Sequence, residues 1–345
     1  MKNIKMKESP LFWPAHIKNN VLWVLDETLI PEKIKYIPVN NVGQAVSVIR
    51  EMKTRAFGQF LVVLNTLLLE LNHNVGLKPK ALFRHLKKTA DALNKSRPTF
   101  PFKEVTSQVV GWAQAALDHG EDIVSVLQRN IPGYLAGIRA RRLERVQRIA
   151  QIIKNGDSIL THCNVSGELA MAAAICQQEG KKIHFFATET RPYLQGAKLT
   201  AWELKEIGAN VTLIADNTVG SVMSNGLVDK VIVGSDRSCA NGDFANKIGT
   251  YQIAVLAKEF EIPFYVLTQP STKIKSGADI PVEIRDSREL LSFEGKRFVP
   301  RLVKGFYPGF DVVPFEFVTQ SVPIDPSTRT QDSARKGLHV SGGRP

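Results

Sequence analysis

The chain has 345 residues, 43% of them hydrophobic, with 45 Lys and Arg against 33 Asp and Glu for a formal net charge of +12. That length suits two domains of ordinary size, and the absence of any apolar run of about 18 residues argues against a membrane-spanning helix. The basic residues are spread out, without a block of about five like charges or an aromatic-and-basic motif, which argues against nucleic acid and favours a small anionic partner.

The opening MKNIKMKESPLFWP has lysines but no apolar segment or small-residue cleavage site, so no secretory signal is expected. Residues up to about Asn40 read as irregular chain with short strands at 21–25 and 34–39. Beyond Asn41 the pattern turns helical: Val42, Ala45, Val46 and Ile49 recur at helix spacing, and 60–71 is a strongly apolar, buried helix. Further helices are predicted over 79–93 and 102–119; Pro132 interrupts the chain, and a long basic helix runs over 134–155. From Gly156 strands and helices alternate. Strands are predicted at 158–161, 182–187, 210–214, 228–233 and 263–267, and helices at 168–178, 198–207, 219–223 and 248–260. Such repeated βα units imply an α/β fold: a doubly wound, mainly parallel, Rossmann-like sheet with helices on both faces, preceded by a smaller, mostly helical domain. The predicted division is a helical domain over 1–130 with short strands, a linking helix over 131–155, a Rossmann-like domain over 156–326 and a disordered tail over 327–345. No GxGxxG and no GxxxxGK[ST] occurs, so nucleotide use lacks its usual signature.

Polar and reactive residues gather at the predicted strand ends. Val231-Ile232-Val233 is a buried strand whose end carries Ser235, Asp236 and Arg237, with Asn246-Lys247 predicted to open the next helix. A carboxylate there suits a phosphorylated substrate held at the helix start, and equally suits a cap or a pair with Arg237. Thr161-His162-Cys163-Asn164 lies between a strand and a helix, where a thiol is activated, although free Cys is also a common small core residue. His162 reads as an acid–base group or as a hydrogen-bonded structural histidine. Cys176 reads as core and Cys239 as packing; the three cysteines have no metal-ligand spacing and cannot all pair, which fits a reducing, cytoplasmic setting. Arg191 holds a phosphate or locks Glu189, and Asp216-Asn217 caps a helix or lines the cleft. Four successive strand ends of this kind are what a ligand cleft along a doubly wound sheet requires.

ILTHCN, TETRPYLQGAKLTAWEL, ADN, VIVGSDR and NGDFANKIGTY resemble the family of S-methyl-5-thioribose-1-phosphate isomerases. That family also includes ribose-1,5-bisphosphate isomerases and the alpha, beta and delta regulatory subunits of the exchange factor of translation initiation. The match is dense over 158–286, looser in the front half, and lost past Phe310. The resemblance implies an aldose–ketose isomerase of a 1-phosphorylated pentose, acting in methionine salvage as a homodimer without cofactor or metal. It also implies Cys163 and Asp236 as the catalytic pair, which the regulatory relatives generally lack together. The substrate contacts it implies are Arg55, Arg97, Gln195, Asn246 and Lys247, with Ser96-Arg97-Pro98-Thr99 resembling the family's Arg-Pro-Thr phosphate site. The family's front loop usually reads Arg-Gly-Ala-Pro-Ala-Ile-Gly; here it is Arg55-Ala56-Phe57-Gly58-Gln59-Phe60. The arginine is kept, the first glycine and the proline are lost, and two Phe are added, so a sister substrate (ribose 1,5-bisphosphate or 5-deoxyribose 1-phosphate) stands as an alternative, as does a non-catalytic regulatory protein. In an aldose 1-phosphate the anomeric oxygen is esterified, so an acid must protonate the ring oxygen and a base must take a hydroxyl proton, roles a facing thiol and carboxylate can share.

Overall fold

The computed structural model describes residues 8–269, 273–293 and 295–327. In chain order the elements are strands β1 (Ala15–Lys18), β2 (Val21–Leu25) and β3 (Tyr36–Val39), then helices α1 (Val42–Arg50), α2 (Ala56–His73), α3 (Pro79–Ser96), α4 (Phe102–His119) and α5 (Ile123–Ile152). There follow β4 (Ser158–Thr161), α6 (Glu168–Gln178), β5 (His184–Thr188), a π-helical turn Gly196–Ala201 leading into α7 (Trp202–Glu206), β6 (Asn210–Ile214) and α8 (Val219–Ser224). The remainder is β7 (Lys230–Gly234), β8 (Arg237–Ser238), β9 (Phe244–Lys247), α9 (Thr250–Glu259), β10 (Phe264–Thr268), α10 (Arg288–Leu291), β11 (Ser292–Phe293), β12 (Lys296–Arg297), β13 (Phe310–Val313) and β14 (Gln320–Pro323). The expected tail, past Ser327, lies outside the described residues.

The chain forms two compact units. The first holds the chain up to Gln151 together with Asn164–Gly180 and Lys198–Ala209. In it β1, β2 and β3 make an antiparallel meander, paired Ala15↔Val24 and Leu22↔Val39. Its core is built on α2, whose unbroken apolar run buries Leu61, Val62, Val63, Leu64 and Leu67 together with Leu22 and Val24 of β2, Leu86 and Leu93 of α3, and Val109 and Ala113 of α4. A helix apolar all round is what a central position requires. Pro132 does not interrupt the chain as expected: α5 runs through it for 30 residues. Pro132 is exposed, and a proline inside a helix removes one i→i−4 hydrogen bond, a loss this 30-residue helix sustains. Later in the same unit Arg145 grips Glu168 of α6 with two bonds of 2.6 Å, and Arg142 adds a third contact at 3.0 Å. All three side chains are buried, and Glu168 ionises more readily than an ordinary carboxyl because the two arginines outweigh its burial.

The second unit holds Ile152–Cys163, Lys181–Ala197 and the chain from Asn210 on. Its centre is a six-stranded sheet in the order β14-β10-β7-β4-β5-β6, parallel throughout. The protein is therefore α/β, with a Rossmann-like doubly wound sheet preceded by a mostly helical region. A second sheet, β13-β9-β8, is antiparallel. It corrects one expectation: Asn246 and Lys247 do not open a helix but end strand β9, and α9 begins at Thr250 behind Gly249. Both side chains are buried, and a strand with buried polar residues has no hydropathy signature.

Candidate functional site

In the second unit the chain leaves β4 toward β5 and β6 on one side, and returns as β7 on the other. The strand order thus reverses between β4 and β7, which pair directly through Ile159↔Lys230 and Leu160↔Val231. Ligands of open α/β sheets bind outside the carboxyl ends of strands at such a reversal. Cys163 lies two residues beyond the end of β4, and Asp236 two beyond the end of β7. Both are part-exposed. Asp236 is anchored through its backbone N–H, which donates to the Ala245 carbonyl at 2.9 Å.

Cys163 has φ of 62°, and Thr190, past the end of β5, has 63°. Neither is glycine, and left-handed backbone at such residues costs on the order of 1 kcal/mol each, so the surroundings must hold it. The Cys163 N–H donates to Thr190 Oγ1 at 3.0 Å. Asp216 holds the other side of this turn, accepting from Thr190 N at 2.7 Å and Arg191 N at 2.6 Å. Asp216 thus caps this turn rather than a helix. Arg191 likewise does not lock Glu189, but donates to the carbonyls of Pro192 and Leu290.

His162 is structural. It is buried, its Nε2 lies 2.8 Å from the Ile248 carbonyl and its Nδ1 2.6 Å from Thr188 Oγ1. A carbonyl only accepts, so Nε2 carries the proton and Nδ1 accepts from Thr188. Burial holds the ring below its ordinary pKa, against Asp216 and the Ile248 carbonyl, which raise it. Thr188 having given its proton, Thr190 Oγ1 faces it at 3.3 Å as donor, with the Thr188 carbonyl at 3.4 Å as second acceptor. The bonds thus run one way, from the Cys163 amide through Thr190, Thr188 and His162 to the backbone just after Lys247. Gly249 makes room for the ring: it has φ of +102°, and a Cβ there would lie 3.0 Å from His162.

Gln195, at the start of the Gly196 turn, is buried and its Oε1 meets no donor. A buried acceptor without a protein partner is open to a donor from water or a ligand. Asn246 donates to Thr250 Oγ1 at 3.0 Å, and Lys247 Nζ lies 4.8 Å from the Phe310 ring. The start of α9, expected to hold an anion, is already met by Asp311, which accepts from Gly249 N and Tyr251 N. Tyr307, in a stretch that reads only as turn-rich, is buried. Burial pushes its phenol up to about 12; Arg285 opposes this, and Glu289 and a Cys163 thiolate add to it. Cys239 is fully buried and its thiol is pushed up to about 11 by burial and by Asp243 and Asp279, while Cys176 points its thiol at the Ala150 carbonyl in the first unit. Both are packing, as expected.

Arg55 and Arg97 belong to the first unit. Arg55 opens α2, and Glu27 holds it by accepting from its Nε at 3.1 Å and its backbone N–H at 3.3 Å. Thr54 also donates to Glu27. Gly58 is required at this point because a Cβ would lie 1.8 Å from Thr54 Oγ1. Arg97 ends α3; its Nη1 donates to Gln59 Oε1 at 3.0 Å, and its guanidinium lies 4.8 Å over the Phe100 ring. The added Phe57 of the altered loop lies 3.8 Å under the buried Arg142 guanidinium and faces Trp13 and Phe60. Glu27 and Gln59 carry no motif; only their buried polar character inside apolar surroundings distinguishes them.

The model of the initiation factor 2 subunit family matches residues 59–323. The chain belongs to that family. Members of the family named methylthioribose-1-phosphate isomerase from Desulforudis audaxviator and Fervidobacterium nodosum are each 37% identical to it, over 91% and 92% of this chain and 92% and 93% of their own. Among solved structures, the 5-methylthioribose 1-phosphate isomerase of Pyrococcus horikoshii has a TM-score of 0.80 at 30% identity, covering 93% of this chain and 94% of that one. The delta subunit of translation initiation factor eIF-2B from A. fulgidus has a TM-score of 0.77 at 32% identity, covering 91% and 94%. The initiation factor 2 subunit family thus sets proteins named as enzymes and proteins named as translation-factor subunits on one fold, and function must be argued from the site.

Proposed function

We propose that this chain is an aldose–ketose isomerase that converts 5-methylthioribose 1-phosphate to 5-methylthioribulose 1-phosphate, with Cys163 and Asp236 as the acid–base pair. The observation that carries the reading is the standing of a thiol and a carboxylate at the carboxyl ends of two directly paired parallel strands, β4 and β7, where the strand order reverses. The names and coverage of the relatives support the isomerase class and a phosphorylated pentose as substrate.

In the reaction the ring C1–O bond breaks and the ring oxygen gains a proton. Hydrogen moves from C2 to C1, and the C2 hydroxyl gives up its proton to become the ketone. Asp236 exchanges protons with the sugar oxygens and Cys163 serves as acid or base at C1 and C2. Gln195, with its unmet buried acceptor, takes a substrate hydroxyl. The family resemblance implies Arg55, Arg97, Asn246 and Lys247 as further substrate contacts, and the three cations suit a phosphate. The altered Arg55 loop favours testing a second substrate of the same class, ribose 1,5-bisphosphate or 5-deoxyribose 1-phosphate. Turnover of the three aldose 1-phosphates, followed by ketose formation, decides: the account expects the highest kcat/KM on 5-methylthioribose 1-phosphate. A higher value on either sister sugar replaces the substrate, and stabilisation by the sugars on heating without turnover of any replaces the enzyme with a binding protein.

A further inference from the structure

We infer that Gln59 is a positioning residue for the phosphate-holding arginines: its carboxamide fixes Arg97 and the turn carrying Arg55 as one unit. This rests on the reading that Arg97 holds the substrate phosphate. Gln59 lies in the first turn of α2 and is completely buried. Its Nε2 donates to the Thr54 carbonyl at 2.9 Å and to the Ile49 carbonyl at 3.2 Å. Its Oε1 accepts from Arg97 Nη1 at 3.0 Å. Two carbonyls demand the amide nitrogen and a guanidinium demands the oxygen, so one orientation of the carboxamide satisfies all three and the flipped one satisfies none.

The Thr54 carbonyl and the Arg55 N–H belong to the same peptide group. Gln59 holds its oxygen and Glu27 its N–H, while Glu27 also takes the Arg55 side chain. Arg55 is thereby fixed at the backbone on one side and at the guanidinium stem on the other. Arg97 sits at the exit of a different helix, α3, and Gln59 Oε1 sets the plane of its guanidinium above Phe100. Planar bidentate recognition of a phosphate depends on that plane. The loop pattern of the resembling family has Ala at the fifth position, where this chain has Gln59. An alanine reaches neither carbonyl nor guanidinium, so the arrangement belongs to the altered loop. Glutamate would set a carboxylate against two carbonyls, and leucine would remove all three of these hydrogen bonds.

A double-mutant cycle on the full chain tests this, with KM and kcat for 5-methylthioribose 1-phosphate and the inhibition constant of inorganic phosphate as readouts. Gln59→Leu is expected to raise KM and the phosphate inhibition constant about tenfold with kcat changed less than about threefold. In the Arg97→Ala background the same substitution is expected to change either constant less than about twofold, because the group it positions is gone. Equal effects in both backgrounds would show that Gln59 serves the fold alone and overturn the proposal. So would an unchanged KM in Gln59→Leu when Arg97→Ala raises it. If Arg97→Ala itself leaves phosphate affinity unaltered, the phosphate reading of Arg97 falls first and takes this inference with it. Gln59→Met, whose unbranched chain follows the same path, serves if the leucine variant does not fold, with the same outcomes.

Discussion

At the scale of single residues, polar groups taken out of water are the informative ones. Glu203 of the first unit is buried, with Ser9 Oγ donating at 2.9 Å and Asn164, the residue after Cys163, donating at 2.7 Å. Burial pushes its carboxyl up to about 7 from an ordinary 4.5, against these two bonds, which pull it down. A raised folded pKa favours folding fully below the unfolded value and loses that contribution as pH rises through about 7. Between those two values the loss runs at about 1.4 kcal/mol per pH unit. Thermal unfolding of Glu203→Gln and the parent at pH 5 and pH 8 is therefore expected to show the variant losing less on going to pH 8; a parallel loss would mean that Glu203 titrates normally. Such residues are also where the sequence was least legible. The placement of Cys163 and Asp236 just past two strands is legible because buried apolar runs precede them. Glu27 and Gln59 are not, because nothing near them in sequence signals the backbone groups or guanidinium that face them in the fold. His162 was half legible: its burial beside a strand was foreseeable, while the direction of its hydrogen bonds needs Thr188 and Ile248.

At the scale of elements, hydrophobic periodicity placed most of the chain. The expected ranges for β2, β4, β6, α4 and α6 coincide with the observed ones, since each has clean alternation, a buried run or a sharp exit. The failures have physical causes. β9 hides two buried polar residues. β14 has four residues and ends on Pro323, which an edge strand tolerates but which carries no strand signature in sequence. Pro132 reads as a break, although an exposed proline interrupts only one hydrogen bond of a long helix. Replacing it restores that bond and the intrinsic preference of the helix, so Pro132→Ala is expected to raise stability by about 1–3 kcal/mol in urea unfolding. A loss of stability would mean that the proline itself is needed by the contacts of α5.

At the scale of the whole molecule, the strand order sets Cys163 and Asp236 just past the ends of two adjacent strands, β4 and β7. The same sequence placed in another strand order would separate β4 from β7, and the thiol from the carboxylate. A shared fold with translation-factor subunits does not decide for catalysis, and neither does a charge of +12, which suits any anionic ligand. No helix among the described residues is long and apolar enough to cross a membrane. What separates the two branches is whether Cys163 and Asp236 act on a bound sugar. The direct measurement is kcat and KM for 5-methylthioribose 1-phosphate in the parent, Cys163→Ser and Asp236→Asn. A positioned acid or base contributes about 10²–10⁴-fold, so each variant is expected to lose at least that much kcat with KM nearly unchanged. Near-parental kcat in either variant would contradict the acid–base pair on which the account stands.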